Sequence, residues 1–299
     1  MVTDIPMYDT FTKIRPIEKG MSGDKKYYIE TEGNKRLLLR VADISEYEQK
    51  KTEYELMKKM VSIGVPMPVT IDFGICNADK NVYTLLEWID GQEVEEIVPT
   101  LREEEQYALG VNSGKILKTI HSHKAQKDTD DWSMRYFSVI DERINAFNSE
   151  GVPFFGNEKI LSFLQGNKHL LENRHQCYHH GDYHIGNIIK SANDQLFVID
   201  WHTVDFDNYG DPWYEFNRIG VEYPAFASGQ IDGYFNGNPP ESFWMLLAYY
   251  LSASAITSVV WAKYFAPERL NSILQLNADI LNWFEGMRNP IPTWYKKVN

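Results

Sequence analysis

His180-Gly181-Asp182-Tyr183-His184-Ile185-Gly186-Asn187, followed after twelve intervening residues by Asp200 at the end of Phe197-Val198-Ile199-Asp200, is the stretch that decides how this chain reads. Residues 187–190 and 195–200 are short β-prone runs, and the loop before them is rich in His, Gly, Asp and Asn, so the segment predicts a loop leading into a hairpin. Asp182, Asn187 and Asp200 are then three hard oxygen donors flanking that hairpin. A carboxylate at the end of a buried strand and an amide oxygen at the end of a loop suit magnesium, which takes oxygen ligands and leaves most of its positions to water and phosphates. Asp182 is left for another task, accepting or orienting a proton from an attacking hydroxyl.

Upstream, residues 26–31 and 36–42 are β-prone runs separated by the turn-like Glu32-Gly33-Asn34-Lys35, which predicts a hairpin. Residues 45–63 carry Tyr54, Met57, Met60 and Val61 at helical spacing among charges, with Gly64 and Pro66 as the stop. Residues 82–89 read as a strand leading to Asp90-Gly91. Beyond Gly91 the pattern turns helical, over residues 101–121, 134–148, 157–173, 241–263 and 268–287. No internal repeat or low-complexity segment interrupts this order.

With 299 residues, 43% of them hydrophobic and 14% aromatic, the chain has material for one large or two modest cores. The net charge of −12 argues against a nucleic-acid partner and favours a cationic ligand wherever the excess lines a cleft. Cys76 and Cys177 lie far apart and outside any CxxC spacing, so neither a disulfide framework nor a structural zinc is expected, and a reducing cytoplasm fits. The N-terminal MVTDIPMYDTF has no basic start or apolar run of the kind a signal peptide needs. Residues 243–262 carry no charge over twenty positions, long enough to cross a bilayer. Ser252, Ser254, Thr257 and Ser258 dilute that run and no basic cluster flanks it, so a buried helix is expected and no membrane partner.

The Asp, four residues, Asn, twelve residues, Asp spacing is that of the catalytic and metal-binding loops of protein-kinase-like enzymes. The chain resembles the aminoglycoside phosphotransferase family, related to choline and fructosamine kinases: HGDYHIGN stands for its catalytic loop, Ile199-Asp200-Trp201 for its metal strand, and Gly210-Asp211-Pro212-Trp213 for its Gly-Asp-Pro element. The resemblance implies an α+β, bilobal fold, with an N-terminal antiparallel sheet of five strands plus one helix and a larger, mainly helical C-terminal lobe. It sets the lobes at residues 1–89 and 90–299, with a hinge at about 86–91. By the same resemblance Asp182 is the catalytic base, Asn187 and Asp200 hold Mg2+, and ATP or GTP is the co-substrate. Arg40 falls where the family carries the lysine of the α- and β-phosphates, Glu53 where it has that lysine's partner, and Ser22 within the phosphate-covering loop of residues 18–23. Arginine keeps the charge but binds as a planar fork. Backbone groups at Glu87 and Ile89 are expected to bond the adenine, and Asp211 to brace the catalytic loop.

His180 reads as a loop-fixing residue, and His184 likewise. Asp205, Asp207, Glu215 and Glu222 are each most simply solvated charges, yet as a group they are the candidates for gripping ammonium groups of a substrate. Cys177, His179, His180, Asp182 and His184 could instead form a zinc site, but their spacings do not converge on one ion and that reading leaves Asn187 and Asp200 unexplained. The acceptor expected first is an aminoglycoside, with choline, an amino sugar, a macrolide or another metabolite as alternatives. A nucleotide-binding regulator without catalysis is a rival motivated by Arg40. A monomer is the first expectation and a dimer the second.

Overall fold

Leu37, Leu39 and Val41 are buried while Arg40 between them is less so, the period-two alternation of a strand with one face on a core. That pattern builds the first of two units in the computed structural model, which describes residues 3–18, 23–125, 130–201, 206, 208–219 and 222–296. In chain order the elements are β1 (Phe11–Ile17), β2 (Lys25–Thr31), β3 (Arg36–Asp43), α1 (Tyr47–Ser62), β4 (Thr70–Cys76), β5 (Asn81–Glu87), β6 (Gln92–Glu93), α2 (Val94–Ile97) and α3 (Glu103–His121). They continue with α4 (Trp132–Glu150), α5 (Asn157–Gly166), β7 (Cys177–Tyr178), β8 (Ile188–Lys190), β9 (Leu196–Val198), β10 (Tyr209–Gly210), α6 (Pro224–Phe235), α7 (Glu241–Phe265) and α8 (Leu270–Trp283).

One unit comprises Met1–Ile97 with Gly186–Thr203. Its five strands form an antiparallel sheet in the order β1-β2-β3-β5-β4, over a core of Ile5, Ile29, Leu37, Leu39, Val41, Cys76, Tyr83 and Leu85. The expected hairpin is β2–β3, with Asn34 at φ 55° in the turn, a left-handed conformation that asparagine tolerates. The predicted helix is α1, which packs on β4 and β5. A smaller sheet, β6-β8-β9, completes the unit. Gly91 sits where a Cβ would come within 2.4 Å of the Lys190 carbonyl oxygen, so only glycine lets the chain pass there.

The other unit comprises Val98–Ile185 with Val204–Asn299. It is mainly helical, as the periodicities predict, with α7 packed by α4, α5 and α8. Of the described helices α7 alone is long and apolar enough to cross a membrane, and it is 72% buried within the protein. Helices α3 and α6 approach almost backbone to backbone: a Cβ on Gly114 would lie 2.0 Å from the Gln230 oxygen, and one on Gly229 would lie 2.1 Å from that of Tyr107. The fold is thus the expected α+β arrangement, an antiparallel-sheet portion and a helical portion.

Candidate active site

The Asp-Asn-Asp motif divides between the units: Asn187 and Asp200 belong to the sheet-containing one, Asp182 to the helical one.

Strands β8 and β9 pair Ile188 with Val198, which sets Asn187 opposite Ile199 at the hairpin's open end. The Asn187 carbonyl accepts from the Ile199 amide at 2.9 Å, so the two candidate metal ligands are fixed at one end of one hairpin. Asp200 adopts φ 61°, a left-handed conformation disfavoured for a non-glycine residue and characteristic of functional turns. Its carboxylate Oδ1 accepts from Arg40 Nη1 at 3.0 Å, and Lys26 Nζ lies 3.9 Å away. Arg40 and Lys26 are cross-strand partners on β3 and β2, so both cations come from one patch of the sheet. An amide and a carboxylate at one hairpin end, with oxygen donors only, fit a hard divalent cation.

Arg40 is nearly buried, its side chain 11% exposed. Burial lowers its pKa, but Asp200, Asp24 and Glu53 more than offset this, so the guanidinium stays charged. Arg40 and Glu53, expected as partners, therefore share one cluster. Sequence reasoning missed two of its members. Asp24 takes Arg40 Nε at 2.8 Å and Nη2 at 2.7 Å, and Lys50 Nζ lies 2.9 Å from the same carboxylate. Lys50 is also 3.6 Å from Glu53, which accepts from Gln49 at 3.1 Å. The available signal was the i,i+3 spacing of Lys50 and Glu53 on one helix face; nothing local marked Asp24. The Glu87 amide donates to the Val69 carbonyl at 2.8 Å, so that N–H is committed within the unit. Ile89 follows the end of β5, and Ser22 lies outside the described residues.

In the helical unit the loop that carries Asp182 hangs from a buried carboxylate. Glu215, 4% exposed, accepts from the His180 amide at 2.9 Å, the Gly181 amide at 2.8 Å and His121 Nε2 at 2.9 Å. Burial raises its pKa, but the bond to His121 and the neighbouring imidazoles prevail and hold it at about 2. Glu215 is thus neither a solvated charge nor placed to grip a substrate ammonium group, because its oxygens are spent on the chain's own donors. Gly181 at φ 93° supplies the turn that brings both amides to that carboxylate. His180 Nδ1 accepts from the Asp182 amide at 3.2 Å, and Tyr183 donates to the Ser113 carbonyl at 2.8 Å, which pins the loop to α3. His184 Nε2 lies 3.3 Å from Asp182 Oδ2, a contact the sequence did not suggest.

Asp211 is fully buried. It accepts from Arg174 Nε at 2.6 Å, Arg174 Nη2 at 3.0 Å, the Trp213 amide at 2.9 Å and the Tyr250 hydroxyl at 2.9 Å, and its carbonyl accepts from His179 Nε2 at 3.0 Å. Glu222 is exposed, while Asp205 and Asp207 lie outside the described residues. The side chains of His121, Cys177 and His179 place a possible ligand atom each within 4.8 Å of one another. Both His121 nitrogens are hydrogen-bonded, to Tyr234 and Glu215, and His179 Nε2 is taken by Asp211, so the group reads as hydrogen-bonded core beneath the loop. Burial lowers the His179 pKa to about 4 and pushes that of the Cys177 thiol up.

Among solved structures the chain is similar to the aminoglycoside phosphotransferase APH(2'')-Ib with ADP bound, at 16% identity and TM-score 0.60 over 90% of this chain and 94% of that one. It is also similar to the macrolide 2'-phosphotransferase MphH from Brachybacterium faecium, at 12% identity and TM-score 0.59 over 90% and 91%. A third is the amicoumacin kinase hAmiN in complex with AMP-PNP, Ca2+ and Ami, at 14% identity and TM-score 0.58 over 93% and 90%. At such identities the likeness speaks for the fold. Among curated proteins none matches the chain. The family model described as "Phosphotransferase enzyme family" matches residues 13–244, most of the sequence and all of the motifs above, and the chain belongs to that family of small-molecule kinases.

Proposed function

We propose that this kinase moves the γ-phosphoryl group of ATP or GTP to a hydroxyl of a small cationic acceptor, first of all an aminoglycoside antibiotic, which would make it a resistance enzyme of the cytoplasm. Asp182 accepts or orients the proton of the acceptor hydroxyl. Asn187 and Asp200 hold Mg2+, which when bound neutralises charge on the phosphates. Arg40, in its cluster with Glu53, takes further phosphate charge, Ser22 belongs to the loop over the phosphates, and backbone groups at Glu87 and Ile89 meet the base. In this reading the nucleotide lobe is residues 1–89, the acceptor lobe 90–299, and the hinge lies at about 86–91. Phosphoryl transfer asks little covalent chemistry of the protein, so the chain's contribution is position and charge. Glu215, His180 and Asp211 serve that end by fixing the loop that carries Asp182.

The observation that carries the reading is the hairpin end: Asn187 tied to Ile199, with Asp200 next to it carrying Arg40 on its carboxylate. The aminoglycoside choice rests on the net charge of −12 and on Asp205, Asp207 and Glu222 after the metal strand, of which Glu222 is exposed. The test is a transfer assay with Mg2+ and either ATP or GTP against aminoglycosides, choline, an amino sugar and a macrolide. Phosphorylation of polycationic acceptors is expected, and strict preference for an uncharged acceptor removes the electrostatic part of the proposal.

A further inference from the structure

Arg40 meets two carboxylates with two different parts of its guanidinium. Nη1 faces Asp200 at 3.0 Å, while Nε and Nη2 are both held by Asp24 Oδ2, at 2.8 and 2.7 Å. A guanidinium is a rigid plane, so holding one edge fixes where the remaining N–H groups aim; a lysine ammonium offers no such edge. The Asp24 side chain is 2% exposed, and a carboxylate that deeply buried persists only when paired. Its second partner is Lys50, on α1, at 2.9 Å from Oδ1 and 3.1 Å from Oδ2. Asp24 immediately follows the segment 18–23 and precedes β2, so it ties the start of β2 to β3 and to α1 at once.

We infer that Asp24 is the positioning residue that aims Arg40 at the nucleotide phosphates, with Lys50 as the counter-cation that keeps Asp24 in place. The inference rests on the reading of Arg40 as the phosphate-binding cation. It accounts for the arginine at position 40: a longer, planar group needs an anchor alongside it, and Asp24 supplies one. Glu53 and Lys50 then form the neighbouring pair on α1.

Calorimetric titration of the full chain with Mg2+ and ATP, and separately with adenosine, tests this without knowing the acceptor. Asp24→Asn is expected to weaken ATP about tenfold, as loss of the charge that holds one edge of a guanidinium does, and to leave adenosine within about twofold. Arg40→Lys should do the same, and the double variant should fall little below the worse single, because the two residues act as one unit. Unchanged ATP affinity in Asp24→Asn, parallel losses for ATP and adenosine, or additive losses in the double variant would each overturn the inference. Arg40→Ala separates the two levels. If ATP binds it as before, the phosphate role of Arg40 itself fails; if it loses ATP while Asp24→Asn does not, only the positioning role fails. Should Asp24→Asn not fold, Arg40→Lys alone decides, since undiminished ATP binding would show that the anchored plane is dispensable.

Discussion

At the scale of single residues the proposed chemistry rests on three oxygen-bearing side chains, Asp182, Asn187 and Asp200, and two of these are the ones to remove. Asp182→Ala deletes the proposed acceptor of the substrate proton, and Asp200→Ala deletes a proposed magnesium ligand and the partner of Arg40 at 3.0 Å. Each is expected to lower kcat/KM on the order of a thousandfold or more, the usual loss for a catalytic or charge-stabilising group in phosphoryl transfer. The two should differ in nucleotide affinity, measured by titration. Asp200→Ala should lose the magnesium dependence of ATP binding, whereas Asp182→Ala should bind magnesium and ATP as the parent does. Near-parental turnover in either variant removes the corresponding role.

At the scale of elements, the loop carrying Asp182 depends on Glu215, which bonds the amides of His180 and Gly181. Glu215→Gln turns one acceptor oxygen into a donor facing donors. We expect kcat to fall on the order of tenfold to a hundredfold, with ATP affinity unchanged, because a charged buried hydrogen bond is lost at the loop and not among the residues assigned to the nucleotide. Equal loss of ATP affinity and of kcat would contradict a local role. The α3–α6 contact makes a separate prediction. Gly114→Ala brings a Cβ to 2.0 Å from the Gln230 oxygen, so the helices must part. Denaturant unfolding should show a loss of about 3 kcal/mol. Gly166→Ala in α5, where the added Cβ meets nothing within 4 Å, should be neutral or slightly stabilising. A gain at Gly114 like that at Gly166 would mean that helix propensity and not contact sets the effect.

At the scale of the whole molecule, buried ionisable groups set the response to acid. His179, held at about 4 by burial against an ordinary 6.5, stabilises the native state above 6.5, and that contribution is lost as pH falls from 6.5 through 4. Glu215, held at about 2 against 4.5, contributes above 4.5 and loses that contribution as pH falls toward 2. Together they are worth on the order of a few kcal/mol. Unfolding free energy should therefore decline below pH 6.5, and His179→Gln, which keeps a donor for the Asp211 carbonyl, should flatten the decline between 6.5 and 4. An unaltered slope in that variant would assign the acid response to other groups. The β-prone runs at 26–31 and 36–42 and the long helical periodicities made most elements legible in the sequence, as did the Asp-Asn-Asp spacing for the hairpin. β1, whose mostly exposed residues give no buried alternation, and α6, whose PAFASGQIDGYF carries two glycines and no amphipathic stripe and whose signal lies in its distant partner α3, were not. Asp24 and the burial of Glu215 were hidden for the same reason: each is defined by what packs against it, across 16 residues to Arg40 and 94 to His121. The most direct test of the central claim is phosphoryl transfer from γ-labelled ATP to an aminoglycoside panel, with and without magnesium, by the parent and by Asp182→Ala. Label in the acceptor only with magnesium and only with the parent is the predicted result; equal labelling by Asp182→Ala, or none with any acceptor while ATP is bound, would contradict it.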